Sequence, residues 1–303
     1  MNTFKHILLT TDFSKNAEAA LPYAVALAKQ SGGTIHLFHA IANEVGDALA
    51  AGIPTGVLAW RTTEQQQQET RLNDLAKLIA EKEVKVSPIC VYGNPAIQAI
   101  KAAQDVHADL VVLSTRGRTG LAQWFLGSVA EKIVRLSPIP VLTIRPEAHT
   151  SSVIAFNTVL VPTDFSENSE KALPLAIEMA RQNGGKLLLV HVIEDSVYYP
   201  AEPPNYFIGP EAGAWMRYVK EGLETQLAAA AKKLAAQSEM RVETALESGQ
   251  AAEQIAGIAR KKQADLIVLA THGRTGFSHL LSGSVAERVV RSSTVPVLSI
   301  RPD

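Results

Sequence analysis

Only one cysteine, Cys90, occurs in the 303 residues, so no disulfide forms within the chain. The sequence around it, KVSPICVYG, alternates as a half-buried strand would, which predicts a buried, inert thiol. Charge of one sign is missing as well. Lys and Arg number 29 against 30 Asp and Glu, for a formal net charge of -1, and no long basic run occurs. That removes the electrostatic footprint of nucleic-acid and membrane-surface binders, and neither is expected as a partner. Long apolar runs are absent. The opening MNTFKHILLTTDFS is too short in apolar residues for a signal peptide, and no stretch approaches the roughly 20 of a spanning helix, so a cytoplasmic location is expected. Several catalytic signatures are missing too: no G-x-x-x-x-G-K-S/T, no G-x-G-x-x-G after a first strand, no G-x-S-x-G elbow and no zinc-type histidine pair.

What the chain does contain is a repeat. Residues 6–41 align without a gap against 158–193 at a shift of 152, and later landmarks such as Gly93 and Gly249 shift by 156. From Asp109 to Pro146 and from Asp265 to Pro302, 23 of 38 positions are identical, which means duplication of a complete unit. A period near 150 residues with 47% apolar content is a domain with its own core, not a solenoid module. The expected organisation is a first domain over 1–146, a polar linker over 147–156 and a second domain over 157–303.

Each half alternates strand and helix. HILLTT and TVLVPT read as first strands ending at Asp12 and Asp164. The following helices stop at Gly32-Gly33 and Gly184-Gly185, with Pro22 and Pro174 imposing a kink or a late start. TIHLFHAI and KLLLVHVI are second strands, and a long helical region follows in each copy. In the first copy it holds the run EQQQQ, read as a solvated helix face. Three more strands with crossover helices complete an α/β unit, a doubly wound, mostly parallel five-stranded sheet with helices on both faces. Ligands bind such sheets beyond the carboxyl ends of the strands.

At that edge each half carries a glycine loop, LSTRGRTGLAQWFLGSV at 113–129 and LATHGRTGFSHLLSGSV at 269–285. Ser128 and Ser284 begin amphipathic helices, so free amides there, with Arg118 or Arg274 and a glycine-lined backbone, suit phosphates. An ordinary tight turn with serine caps is the competing account, and duplication copies turns as faithfully as sites. Asp12 and Asp164 likewise read either as ligand groups or as caps of the following helix. His39 and His191, at the ends of apolar runs, read as satisfied core histidines.

The strand ends TTDFS and PTDFS, the ends FHAI and VHVI, and the spacing G-x9-G-S at Gly117 to Ser128 and Gly273 to Ser284 resemble the universal stress protein family, in a tandem form covering essentially the whole chain. The resemblance implies a Rossmann-like, adenine nucleotide hydrolase-like fold holding ATP, with Mg²⁺ or Mn²⁺ on its phosphates, at the carboxyl edge of each sheet. It also implies site residues: Asp12, Ala40, Gly117, Arg118, Gly120, Gly127, Ser128 and Val129 in the first half. In the second they are Thr163, Asp164, Val192, Gly273, Arg274, Gly276, Gly283, Ser284 and Val285. The family pattern has an earlier glycine where this chain has Ser114 and Ala270, and Arg116 stands against His272. The second half matches better and is expected to be the stronger site.

A regulatory, stress-response binding protein is therefore expected rather than an enzyme. A hydrolase-like relative would carry an S-G-G-x-D-S loop after the first strand, which TTDFSKN and PTDFSEN lack, and no general base set for in-line attack is identifiable. A nucleotide-free assembly module is the third reading. The apolar end strands IPVLTIR and VPVLSIR are expected to pair the two halves, with a further homodimer as an option.

Overall fold

Short aliphatic runs and amphipathic helices alternate along the chain, and the computed structural model describes residues 4–42, 56–116, 126–148, 154–194, 210–271 and 285–302. Two compact units divide it, Met1–Ile154 and Ala155–Asp303.

In the first unit the strands are β1 (His6–Thr10), β2 (Thr34–Ile41), β3 (Lys85–Tyr92), β4 (Leu110–Ser114) and β5 (Val141–Ile144). They lie in the order β3-β2-β1-β4-β5, and every pairing is parallel, with Ile7 beside both Ile35 and Leu110 and Val111 beside Val141. Parallel strands need crossovers, supplied here by α1 (Lys15–Glu18), α2 (Leu21–Ser31), α3 (Gly56–Ala80), α4 (Pro95–Asp105) and α5 (Ser128–Leu136). Burial of Ile7, Leu8, Ile35, Leu37, Leu110 and Leu142 makes the strands continuous apolar runs, as expected when helices cover both faces.

The second unit repeats this with β6 (Thr158–Pro162), β7 (Lys186–Ile193), β8 (Val242–Ser248), β9 (Leu266–Ala270) and β10 (Val297–Ile300), in the order β8-β7-β6-β9-β10. Its helices are α6 (Glu167–Glu170), α7 (Leu173–Arg181), α8 (Pro210–Ser238), α9 (Ala251–Lys261) and α10 (Val285–Ser292). This is the doubly wound fold the alternation predicts. The helix before each second strand is broken as the prolines require. Pro22 sits in the first turn of α2 after the one-turn α1, and Gly32 closes α2 in the left-handed conformation at φ 62°.

Cys90 is half-buried on β3. Burial, with the Glu69 carboxylate adding to it, pushes its thiol up to about 11, which makes it an unreactive neutral thiol.

Candidate functional site

Chain connections leave β1 toward β2 on one side and reach β4 on the other, so a crevice must open where they part. A cavity of ≈ 470 Å³ lies there in the first unit, within the range that holds a small organic ligand. Thr10 to Asp12 follow β1, His39 to Ala42 close β2, Ser114 to Arg116 close β4, and Gly127 to Ala130 open α5, all on its wall. Glu64 and Gln68 reach it from α3.

The turn after β1 is built around Asp12. Its Oδ1 accepts from the Ser14 amide at 3.0 Å and the Ser14 hydroxyl at 2.6 Å, while Ser14 Oγ accepts from the Ala17 amide and caps α1. Asp12 therefore orients the cap and is not the cap, which corrects the simple capping account. Between them Phe13 adopts φ 61°, a left-handed conformation costly for a bulky residue. Its amide donates to Thr11 Oγ1 at 3.0 Å, its ring packs 4.4 Å from that of His39, and the Arg71 guanidinium lies 4.4 Å above it. His39, 4% exposed, bonds through Nδ1 to the Thr11 carbonyl at 2.8 Å. The second unit reproduces the arrangement: Asp164 accepts from Ser166, Phe165 has φ 62°, and His191 Nδ1 lies 2.7 Å from the Thr163 carbonyl. Both histidines are core groups with a partner, and His39 also lines the cavity.

The opposite wall is set by two backbone bonds. The Thr115 amide donates to Ile144 at 2.9 Å, and the Thr115 carbonyl accepts from Gly127 at 2.8 Å, joining the end of β4 to the start of α5. A β-carbon on Gly127 would stand 3.2 Å from that carbonyl, closer than side chains ordinarily approach. Gly127, not Ser128, is the N-cap of α5, and no side chain caps the helix. This corrects the reading of Ser128 as a cap: it is the first helical residue, exposed on the cavity wall. The uncapped amides form a positive helix end facing the cavity.

The Thr115 hydroxyl on this wall, in a residue 3% exposed, and the Gln68 amide oxygen across the cavity are buried without a hydrogen-bond partner. Leaving such groups unsatisfied costs about 1–3 kcal/mol each. Arg116 forms an ion pair with Glu147. Arg145 is buried close by, where burial, then the Arg116 charge, hold its guanidinium below its ordinary pKa.

The fold thus brings Asp12, Ala40, Gly127, Ser128 and Val129 to one cavity. Gly117, Arg118 and Gly120 lie outside the described residues. In the second unit Thr163 and Asp164 follow β6, Val192 lies in β7 and Val285 opens α10, at the corresponding strand and helix ends. Gly273, Arg274, Gly276, Gly283 and Ser284 lie outside the described residues. The sequence reading missed Glu64, Gln68 and Thr115, and marked Arg116 only as a difference between the halves. The run EQQQQ is not uniformly a solvated face, since Glu64 and Gln68, one helical turn apart, line the cavity while Gln66 and Gln67 are exposed. That i, i+4 spacing was the available signal.

Comparison with known proteins decides the family. The Universal stress protein family profile matches residues 3–145 and 155–301, once per unit. The chain belongs to the universal stress protein family. Among family members, a universal stress protein of Mycolicibacterium smegmatis is 30% identical over 311 residues, covering 98% of this chain and 97% of the relative. One from Mycobacterium tuberculosis is 27% identical over 305 residues, covering 99% and 97%. The crystal structure of a universal stress protein from Archaeoglobus fulgidus shares the fold, with a TM-score of 0.67 at 24% identity over 98% of this chain and 96% of that one. As a tandem universal stress protein, the chain has no described helix long and apolar enough to cross a membrane.

Proposed function

We propose that this tandem universal stress protein is an adenine-nucleotide-binding regulatory protein, and that ATP, with Mg²⁺ or Mn²⁺ on its phosphates, is held at the carboxyl edge of each sheet. The polarity of the cavity carries this reading. On its β2 side stand Asp12, Glu64, the Gln68 amide oxygen and the backbone of Ala40, which accept hydrogen bonds from the amino group of a base or the hydroxyls of a ribose. On its β4 side stand Arg116 and the uncapped end of α5, which attract anions. A nucleotide has those two characters at its two ends.

Gly117, Arg118 and Gly120, which follow Arg116 in sequence, would contact the phosphates. Their counterparts Gly273, Arg274, Gly276, Gly283 and Ser284, with Thr163, Asp164, Val192 and Val285, would hold the second nucleotide. The bound nucleotide supplies the metal-binding phosphates; the chain contributes orientation and charge. Binding rather than turnover is the proposed role, because TTDFSKN and PTDFSEN lack the S-G-G-x-D-S loop of the hydrolase-like relatives. Pairing of the two halves through their end strands belongs to the same proposal, supported by the apolar character of both.

Mass spectrometry of full-length protein purified without added nucleotide and gently denatured, followed by equilibrium dialysis against labelled ATP, tests the reading. Released adenine nucleotide and saturable binding competed by adenosine are expected. Neither release nor saturable binding at millimolar ATP would leave the nucleotide-free module as the better account.

A further inference from the structure

The Arg116–Glu147 pair is unequal in a way that bears on ligand choice. The Arg116 side chain is 14% exposed and lines the cavity, whereas Glu147 is 45% exposed. A largely desolvated guanidinium needs an anion beside it, but the carboxylate that serves it here stands half in water and loses little on leaving. Arg145 is buried close enough to feel both the Arg116 and the Glu147 charge. The Gly127-to-Thr115 bond places the uncapped start of α5 next to the same residues, and the Thr115 hydroxyl there is buried with no partner. Among the described residues the carboxylate paired with Arg116 is therefore one that regains much of its hydration on leaving.

We propose that Glu147 is a resident competitor for the phosphate of the bound nucleotide: phosphate oxygens replace its carboxylate on the Arg116 guanidinium, and this exchange sets how strongly the first unit distinguishes phosphorylated from unphosphorylated ligands. The inference rests on the nucleotide reading above and adds to it the residues that read charge. No covalent step is involved. Glu147 returns to water, and the ligand anion takes its place beside Arg116. The second copy has His272, Arg301 and Asp303 at the corresponding sequence positions, so the competitor and its cation differ between halves. The second half therefore serves as an internal reference.

The test uses the full chain, photolabelled with azido-ATP and digested so that labelled peptides report each half separately, with ATP, AMP and adenosine as competitors. Glu147→Gln keeps the side-chain shape and removes the charge. It is expected to tighten ATP and AMP at the first half by roughly two- to fivefold, the size of a partly exposed ion pair, and to leave adenosine and the second half unchanged. Arg116→Gln is expected to weaken ATP and AMP at the first half by about tenfold, with little effect on adenosine. The double variant should match Arg116→Gln alone. Thermal melts of each variant report folding.

A ratio of ATP to adenosine affinity that Glu147→Gln leaves unchanged overturns the exchange. So does a loss of ATP binding in Glu147→Gln, since the pair would then be scaffold for the site. If neither ATP nor adenosine competes in the unaltered protein, the nucleotide reading fails and the inference fails with it, a result distinct from an unchanged ratio.

Discussion

Thr115 is the residue whose chemistry is least explained by folding alone. Its hydroxyl is buried and without a partner on the cavity wall, where valine would fit the same space. Thr115→Val is therefore expected to raise the unfolding free energy by about 1–2 kcal/mol in urea titrations, while weakening ATP binding several-fold. Stabilisation with unchanged affinity would make the hydroxyl a cost without a use. A different residue pair governs the response to acid. His6 Nδ1 lies 3.2 Å from His36 Nε2 at the far end of the sheet. Burial, then the His6 charge, lower the His36 pKa, with Asp109 opposing them. The fold thus favours neutral His36, so the stability it contributes is complete above the ordinary value of about 6.5 and is lost as pH falls through the lower folded value. The unfolding free energy should decline between pH 7.5 and 5.5, with part of that slope gone in His36→Leu. Leucine already stands at the repeat position, Leu188.

Among the elements, the two helix starts beside the cavity differ in how their amides are satisfied. Ser14 caps α1 and is itself held by Asp12, so Ser14→Ala should cost about 1–2 kcal/mol. Ser128 lies inside α5 and caps nothing, so Ser128→Ala should stay within about 0.5 kcal/mol in stability and weaken ATP more than adenosine. Equal stability losses in both variants would return Ser128 to a structural role. The strands and their alternation with helices were legible because apolar runs, glycine stops and proline breaks agree with one another. The cavity's carboxyl-edge position followed from topology, and Asp12, Ala40 and Gly127 from the resemblance to the universal stress protein family. Thr115 and Gln68 were hidden for physical reasons. An unsatisfied hydroxyl leaves no trace in a strand-end threonine, and a helix surface gains a cavity side only when its neighbours are placed. The capping role of Ser128 misled because serine before an amphipathic run is the usual cap signal, whereas the backbone here turns one residue earlier, at Gly127.

For the whole molecule, the duplication offers two sites of unequal sequence. The second half follows the family pattern more closely, so half-specific photolabelling is expected to saturate at lower ATP in residues 155–302 than in 4–154; the reverse order would assign the tighter site to the first copy. Duplication also bears on how the chain reaches its native state. The segments holding β4 to β5 and β9 to β10 share 23 of 38 residues, and each joins its unit's sheet through parallel pairing with a distant first strand. While the chain is still unfolded, β1 meets two nearly equivalent candidates, and the incorrect one satisfies most of the same contacts. Repeat proteins of this kind become trapped in misassembled intermediates. Refolding from urea should therefore show a slow phase whose amplitude does not depend on protein concentration, and which shrinks when identical β4 positions are made to differ from β9.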